Sequence, residues 1–213
     1  DNFRTFVTDD GPDDGYYRLM SDRLSPLRSP DFRFLVCNIA LQFACRYSLI
    51  LASTWMVFEL TDSSGSVGLI MFSWLAPFLF IAPIGGSWLD RVDRRRVAII
   101  FGILSVIFTF TIAILILLNV TTLWLVVFFT VLQAIALSII VITQEALLPS
   151  LVKKKDLLSA VAISRTAHYG PRLAGPLLGG IFLAAFGPEA TYFFTGVLMI
   201  FVKIIIVEKF LYF

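Results

Sequence analysis

The chain has 213 residues, of which 58% are hydrophobic and 15% charged, and its mean hydropathy is +0.88. A soluble domain carries about 25% charged and at most about 50% apolar residues, so this composition excludes a soluble globular protein and requires lipid to cover the surplus apolar surface. The net charge of +2 points to no nucleic-acid or acidic partner, and Cys37 and Cys45 make no disulfide framework.

Residues 1–33 hold seven aspartates and five arginines with Gly and Pro scattered among them. Such a polar, aperiodic stretch predicts a mobile cytoplasmic tail over 1–31, with no cleavable signal peptide in it. Six apolar segments follow, at about 32–60, 67–89, 97–119, 123–148, 157–186 and 190–207, each long enough to cross a bilayer core at about 20 residues per crossing. Cys37 and Cys45 fall in the first segment and read as small buried residues.

The connections alternate in charge. Thr61–Ser66, Asn119–Thr122 and Gly187–Glu189 contain no Lys or Arg. Asp90–Arg96 holds Arg91, Arg94, Arg95 and Arg96, and Pro149–Leu158 holds Lys153, Lys154 and Lys155. By the positive-inside rule the basic connections are cytoplasmic. The fold class predicted is therefore an all-α polytopic membrane protein with six transmembrane helices and both termini in the cytoplasm. Residues 32–207 form its transmembrane domain, and 208–213 begin a cytoplasmic loop. The second segment contains Pro77, Pro83, Gly85 and Gly86, and the fifth contains Pro171, Gly175, Pro176, Gly179 and Gly180. Broken helices in corresponding places suggest a 3+3 inverted repeat.

Polar residues inside the apolar segments are few. Asn38, Gln42 and Arg46 recur every four residues on the first helix, and Gln133 and Gln144, eleven apart, share a face of the fourth. On the fifth, Arg165, His168 and Arg172 are spaced as one side of a helix. A charge at the bilayer centre costs about 2.5–3.5 kcal/mol on insertion scales, so such residues are expected to face an aqueous cavity. Asn38, Gln42, Arg46, Gln133, Gln144 and Arg172 are thus the candidate cavity residues. Arg172 equally suits a structural role, bonding backbone opened near Pro171 and Pro176. Glu145 and His168 are candidate proton carriers. Lys203, near the cytoplasmic end of the sixth segment, is expected to snorkel to the interface. Gly175 and Gly179 make a small-xxx-small face for packing or hinging. The sequence contains no nucleotide-binding loop, metal-ligand cluster or nucleophile–base arrangement, so neither an enzyme nor a cofactor is expected.

The run Gly86-x-x-x-Asp90-Arg91-x-x-Arg94-Arg95 resembles the signature between helices two and three of major facilitator superfamily transporters. Leu148-Pro149-Ser150-Leu151-Val152, Asp156–Ala160 and Arg172–Gly180 are similar to the helix 4–5 region of the branch that includes macrolide efflux pumps and the enterobactin exporter. Asp93 stands where the general hairpin motif has glycine, and Pro171 where the antiporter motif has one. The resemblance implies the N-terminal half of a twelve-helix fold. Its function would be alternating-access export of a small amphipathic molecule, drug or siderophore-like, across the cell membrane. The partners implied are the bilayer, the substrate and a second six-helix half, from the same longer chain or a second copy. Gly86, Asp90, Arg91, Arg94 and Arg95 would form a conformational gate, with Asp90 docking on a helix start in the other half. A different class of reading, a six-helix membrane scaffold or regulatory module without transport, fits the same topology.

Overall fold

The structure, a computed structural model, describes residues 25–89 and 91–211. The predicted tail up to residue 24 and Asp90 lie outside the described residues. After a single 3-10 turn at Ser25–Arg28, the helices are α1 (Pro30–Thr61), α2 (Ser64–Leu89), α3 (Arg94–Leu117), α4 (Leu123–Leu151), α5 (Leu157–Tyr169) and α6 (Pro171–Leu211). A second 3-10 turn, Lys154–Asp156, leads into α5.

Local chemistry sets the boundaries and moves several of them from the expected places. Pro30 opens α1, where its missing N–H costs nothing, and Asp62 closes it in the left-handed region at φ 46°, its N–H bonding to Phe58 O at 2.8 Å. α3 starts at Arg94 rather than 97. Asp93 begins it, accepting from the N–H of Val97 through its carbonyl and from that of Arg96 through its carboxylate. α4 runs through Pro149 to Leu151 instead of ending at 148. The expected single helix 157–186 is divided at Gly170, because Pro171 has no N–H to donate.

Among the described residues five stretches are long and apolar enough to cross a membrane, and the last, Lys154–Lys203, has 50 residues. At 1.5 Å per residue that is about 75 Å, more than twice the thickness of a hydrocarbon core. It does not run straight. Gly187 breaks α6 at φ 82°, ψ 175°, a conformation essentially restricted to glycine, and Pro188 restarts the helix. The rings of Phe182 and Phe194 stack at 4.1 Å, although twelve residues of straight helix would separate them by about 18 Å. The two halves of α6 therefore fold back on each other. The break falls inside the Gly187–Glu189 connection expected from the charge pattern.

α1 is the axis of the packing. It lies against α6, α2, α5 and α4, while α2 and α3 pack on α4, and α3 also packs on α6. One apolar cluster joins Leu49, Ala52 and Met56 of α1 to Ile70, Trp74, Leu137, Tyr192 and Met199. A second joins Phe32, Ile39 and Phe43 of α1 to Val141, Leu148, Ala160 and Ala167. The outside is as apolar as the inside: Phe72, Leu79, Trp124, Leu173 and Leu177 are all more than 60% exposed. Among the described residues Gln42, Gln133 and Gln144 are buried. Apolar outside with polar glue between helices is the pattern of a protein solvated by lipid. Cys45 is buried as expected, but Cys37 is exposed, because it opens onto a cavity beside α1.

Candidate functional site

Three of the predicted residues meet. Asn38 and Gln42 lie one turn apart on α1, and the amide nitrogen of Gln144 on α4 donates to Asn38 Oδ1 at 3.0 Å and to Gln42 Oε1 at 3.0 Å. A primary amide has two N–H bonds, and here both are spent across one helix interface. Asn38 in turn donates to Val202 O at 3.2 Å, tying in the second half of α6. All three side chains are buried, yet Gln42 Nε2 and Gln144 Oε1 have no hydrogen-bond partner among the described residues. The cluster thus keeps one donor and one acceptor uncommitted. Asn38 also lines a cavity of about 440 Å³ with Arg33, Phe34, Cys37, Leu41 and Val202.

Arg46, one turn beyond Gln42, is held by rings rather than by a carboxylate. Its guanidinium carbon lies 5.8 Å from the Phe43 centroid and 5.9 Å from that of Trp74 on α2. Trp74 is oriented by an N–H bond of 3.2 Å to Ser53 Oγ. A cation on aromatic faces gains about 0.5–2 kcal/mol per ring, which offsets part of the cost of removing arginine from water. Arg46 Nε is buried without a hydrogen-bond partner among the described residues. The same phenylalanine meets His168 edge to face, with the ring centroids 4.6 Å apart. His168 Nδ1 is 2.8 Å from Ser164 O; a carbonyl only accepts, so Nδ1 holds a proton, and Nε2 has no hydrogen-bond partner among the described residues. Phe43, which sequence reasoning passed over as one more apolar residue, links the two basic groups. Its one signal was its position between Gln42 and Arg46.

Other expected groupings come apart. Gln133 is not with Gln144: its amide lies 3.2 Å from Ser105 Oγ and 3.1 Å from Thr109 Oγ1, gluing α4 to α3 beside Met199. The stripe expected of Arg165, His168 and Arg172 is split. His168 is buried, Arg172 is exposed beyond the Gly170 break, and Arg165 reaches Glu145, with Nη1 and Oε1 2.9 Å apart. Glu145, a candidate proton carrier, therefore stands in a half-exposed ion pair. Lys203 does not snorkel. Its stem packs where a Cβ on Gly102 would lie 3.1 Å away, and its Nζ is buried without a partner among the described residues.

The glycines of α6 bring it against α1. A Cβ on Gly175 would sit 2.7 Å from Ala44 O, and one on Gly179 would sit 2.8 Å from Ser48 Cβ. The Ser48 hydroxyl uses that proximity, lying 2.7 Å from Gly175 O. Pro176, between them, is half-buried, and Gly180 faces Leu51. In the hairpin, Arg91 is exposed and Arg94 Nη1 donates to Ala146 O at 3.0 Å, bracing the start of α3 against the last turns of α4. The side chains of Gly86's neighbourhood and of Arg95, like the whole of Asp90, lie outside the described residues, so the geometry of the expected gate is seen only at Arg91 and Arg94.

An apolar exterior, long helices and buried amides joined across helix interfaces define a helical membrane protein with a polar interior. Residues 21–210, nearly the whole chain, match the family of transmembrane secretion effectors. The chain belongs to this family, a branch of the major facilitator superfamily. It is also 24% identical over 140 residues to YfiS of Bacillus subtilis (strain 168), named as an uncharacterized MFS-type transporter. That stretch is 66% of this chain and 32% of the relative, so the match spans about a third of the relative's length.

Proposed function

We propose that the chain is the N-terminal six-helix half of a secondary active transporter that exports a small amphipathic molecule by alternating access. In this reading residues 32–207 cross the cell membrane six times as a 3+3 repeat, with residues 1–31 and 208–213 in the cytoplasm. The Gly187 reversal turns the last 50-residue stretch into two crossings. A second six-helix half, from the same longer chain or another copy, closes the transport cavity, and the Asp90 hairpin latches one of its states.

The observation that carries the reading is the polar group at the centre of α1. Asn38, Gln42 and Gln144 keep a donor and an acceptor uncommitted, and one turn away Arg46 presents a guanidinium between two aromatic faces. Buried polar groups within a bilayer are costly unless they serve a polar pathway. Arginine flanked by rings suits an anionic or polar substrate with an apolar body, because charge, hydrogen bonds and stacking are offered together. Efflux of an anionic amphipathic dye tests this directly, with the chain expressed together with its second half. Arg46→Ala and Arg172→Ala, checked for membrane insertion, should each lower efflux, Arg46→Ala by about tenfold or more, the size of one lost charged contact. Unchanged efflux in both variants contradicts an anion-tolerant cavity.

A further inference from the structure

A second cavity, of about 380 Å³, lies away from the polar group of α1, where the chain enters α1 and where α4 gives way to α5. Its walls are the turn Ser25–Arg28 with Ser29 on one side and Leu151, Val152 and Lys153 with Lys155 and Asp156 on the other. Arg28, Lys153 and Lys155 line it, as do the hydroxyl residues Ser25 and Ser29. Asp156 also lines it, and its Oδ1 accepts from Ser25 Oγ at 2.6 Å, which pins the two walls together. Ser29 caps α1 by position but makes no side-chain capping bond. Three cations, two hydroxyls and one engaged carboxylate leave the pocket net positive.

Its depth is set by what lies beside it. Leu158, on the first turn of α5, is 85% exposed, and Val161, three residues on, is also exposed. Apolar side chains that turn outward within one helical turn of Lys155 belong in the acyl region of a bilayer, so the cations stand at headgroup level. We infer that this cavity is a binding site for a phosphate-bearing anion, and that the phosphate group is that of an anionic phospholipid. Lysine and arginine with hydroxyl donors suit phosphate oxygens, while Leu151, Val152 and the exposed face of α5 offer the apolar surface that a free ion would not use. This site makes no use of the transport cavity, and its test is independent of transport.

Lys154 supplies the control, because it belongs to the same basic run but does not line the cavity. The full chain, purified in an uncharged detergent, is titrated with short-chain phosphatidylglycerol, short-chain phosphatidylcholine and inorganic phosphate. Bound molecules are counted by native mass spectrometry, and thermal unfolding verifies that each variant is folded. The site predicts one phosphatidylglycerol per chain, bound more tightly than phosphatidylcholine. Arg28→Gln, Lys153→Gln and Lys155→Gln should each weaken it by about fivefold, and Lys154→Gln should weaken it clearly less. Phosphatidylglycerol binding that inorganic phosphate cannot match assigns the site to lipid; equal affinity for inorganic phosphate assigns it to the free ion and overturns the lipid source. Equal binding of both lipids with no phosphate bound, or a loss in Lys154→Gln as large as in Lys153→Gln, overturns the site itself.

Discussion

Removing the Gln144 side chain tests the polar group where the geometry is tightest. In Gln144→Ala the two 3.0 Å bonds to Asn38 and Gln42 are lost together. A hydrogen bond between membrane helices contributes about 0.6 kcal/mol on average and about 1.7 kcal/mol at most, so two of them set the expected loss at about 1–3 kcal/mol. The assay is reversible unfolding of the chain in mixed micelles, followed by helix content. Asn38→Ala removes one of the bonds, and the double-mutant cycle of Asn38→Ala with Gln144→Ala should give a coupling of about 0.6–1.7 kcal/mol. The matching cycle of Asn38→Ala with Gln133→Ala should be additive within about 0.5 kcal/mol, since Gln133 is spent on Ser105 and Thr109. Zero coupling in the first cycle, or equal coupling in both, would refute the assignment of Gln144 to the α1 cluster.

Three more outcomes follow from the packing. Gly179→Ala puts a Cβ 2.8 Å from Ser48 Cβ and 2.9 Å from Ser48 Cα, so α1 and α6 must separate. The same unfolding assay should register a loss of about 1–3 kcal/mol, and a neutral effect would mean that the helices are not that close. Lys203→Met replaces a buried ammonium that has no partner among the described residues with an apolar side chain of similar length. Stability should rise by about 1–3 kcal/mol, whereas a fall would show that Nζ has a partner or a role. Asp93→Ala removes the carboxylate that accepts from the Arg96 N–H at 3.4 Å, and it should cost about 0.5–1 kcal/mol, the low end for an exposed cap. A larger loss would show that the Asp93 carboxylate contributes more than helix capping.

Much of the architecture was legible because lipid imposes it. Long apolar runs have to be helices, and the alternation of connections with and without Lys and Arg locates the turns; Gly187 was readable because it lies in a short polar break, Gly-Pro-Glu, between two apolar runs. The Asn38–Gln42 stripe was legible too, since four-residue spacing survives any helix rotation. Interhelical partners were not. Gln133 and Gln144 share a face of α4 by angle, but they lie about 16 Å apart along it, and different neighbours cross the helix at the two depths. The stripe Arg165–His168–Arg172 assumed a straight helix, which Pro171 interrupts. The short distance from Lys203 to the helix end implies snorkelling, and nothing in the sequence shows that Gly102 leaves room for its stem.

The central claim is transport, and the most direct measurement is dye movement in vesicles that hold the chain together with its second half. The account predicts dye accumulation or extrusion that requires an imposed ion gradient, collapses when an ionophore dissipates it, and falls about tenfold or more in Arg46→Ala. Dye movement equal to that of empty vesicles, with the protein folded and inserted, would contradict it.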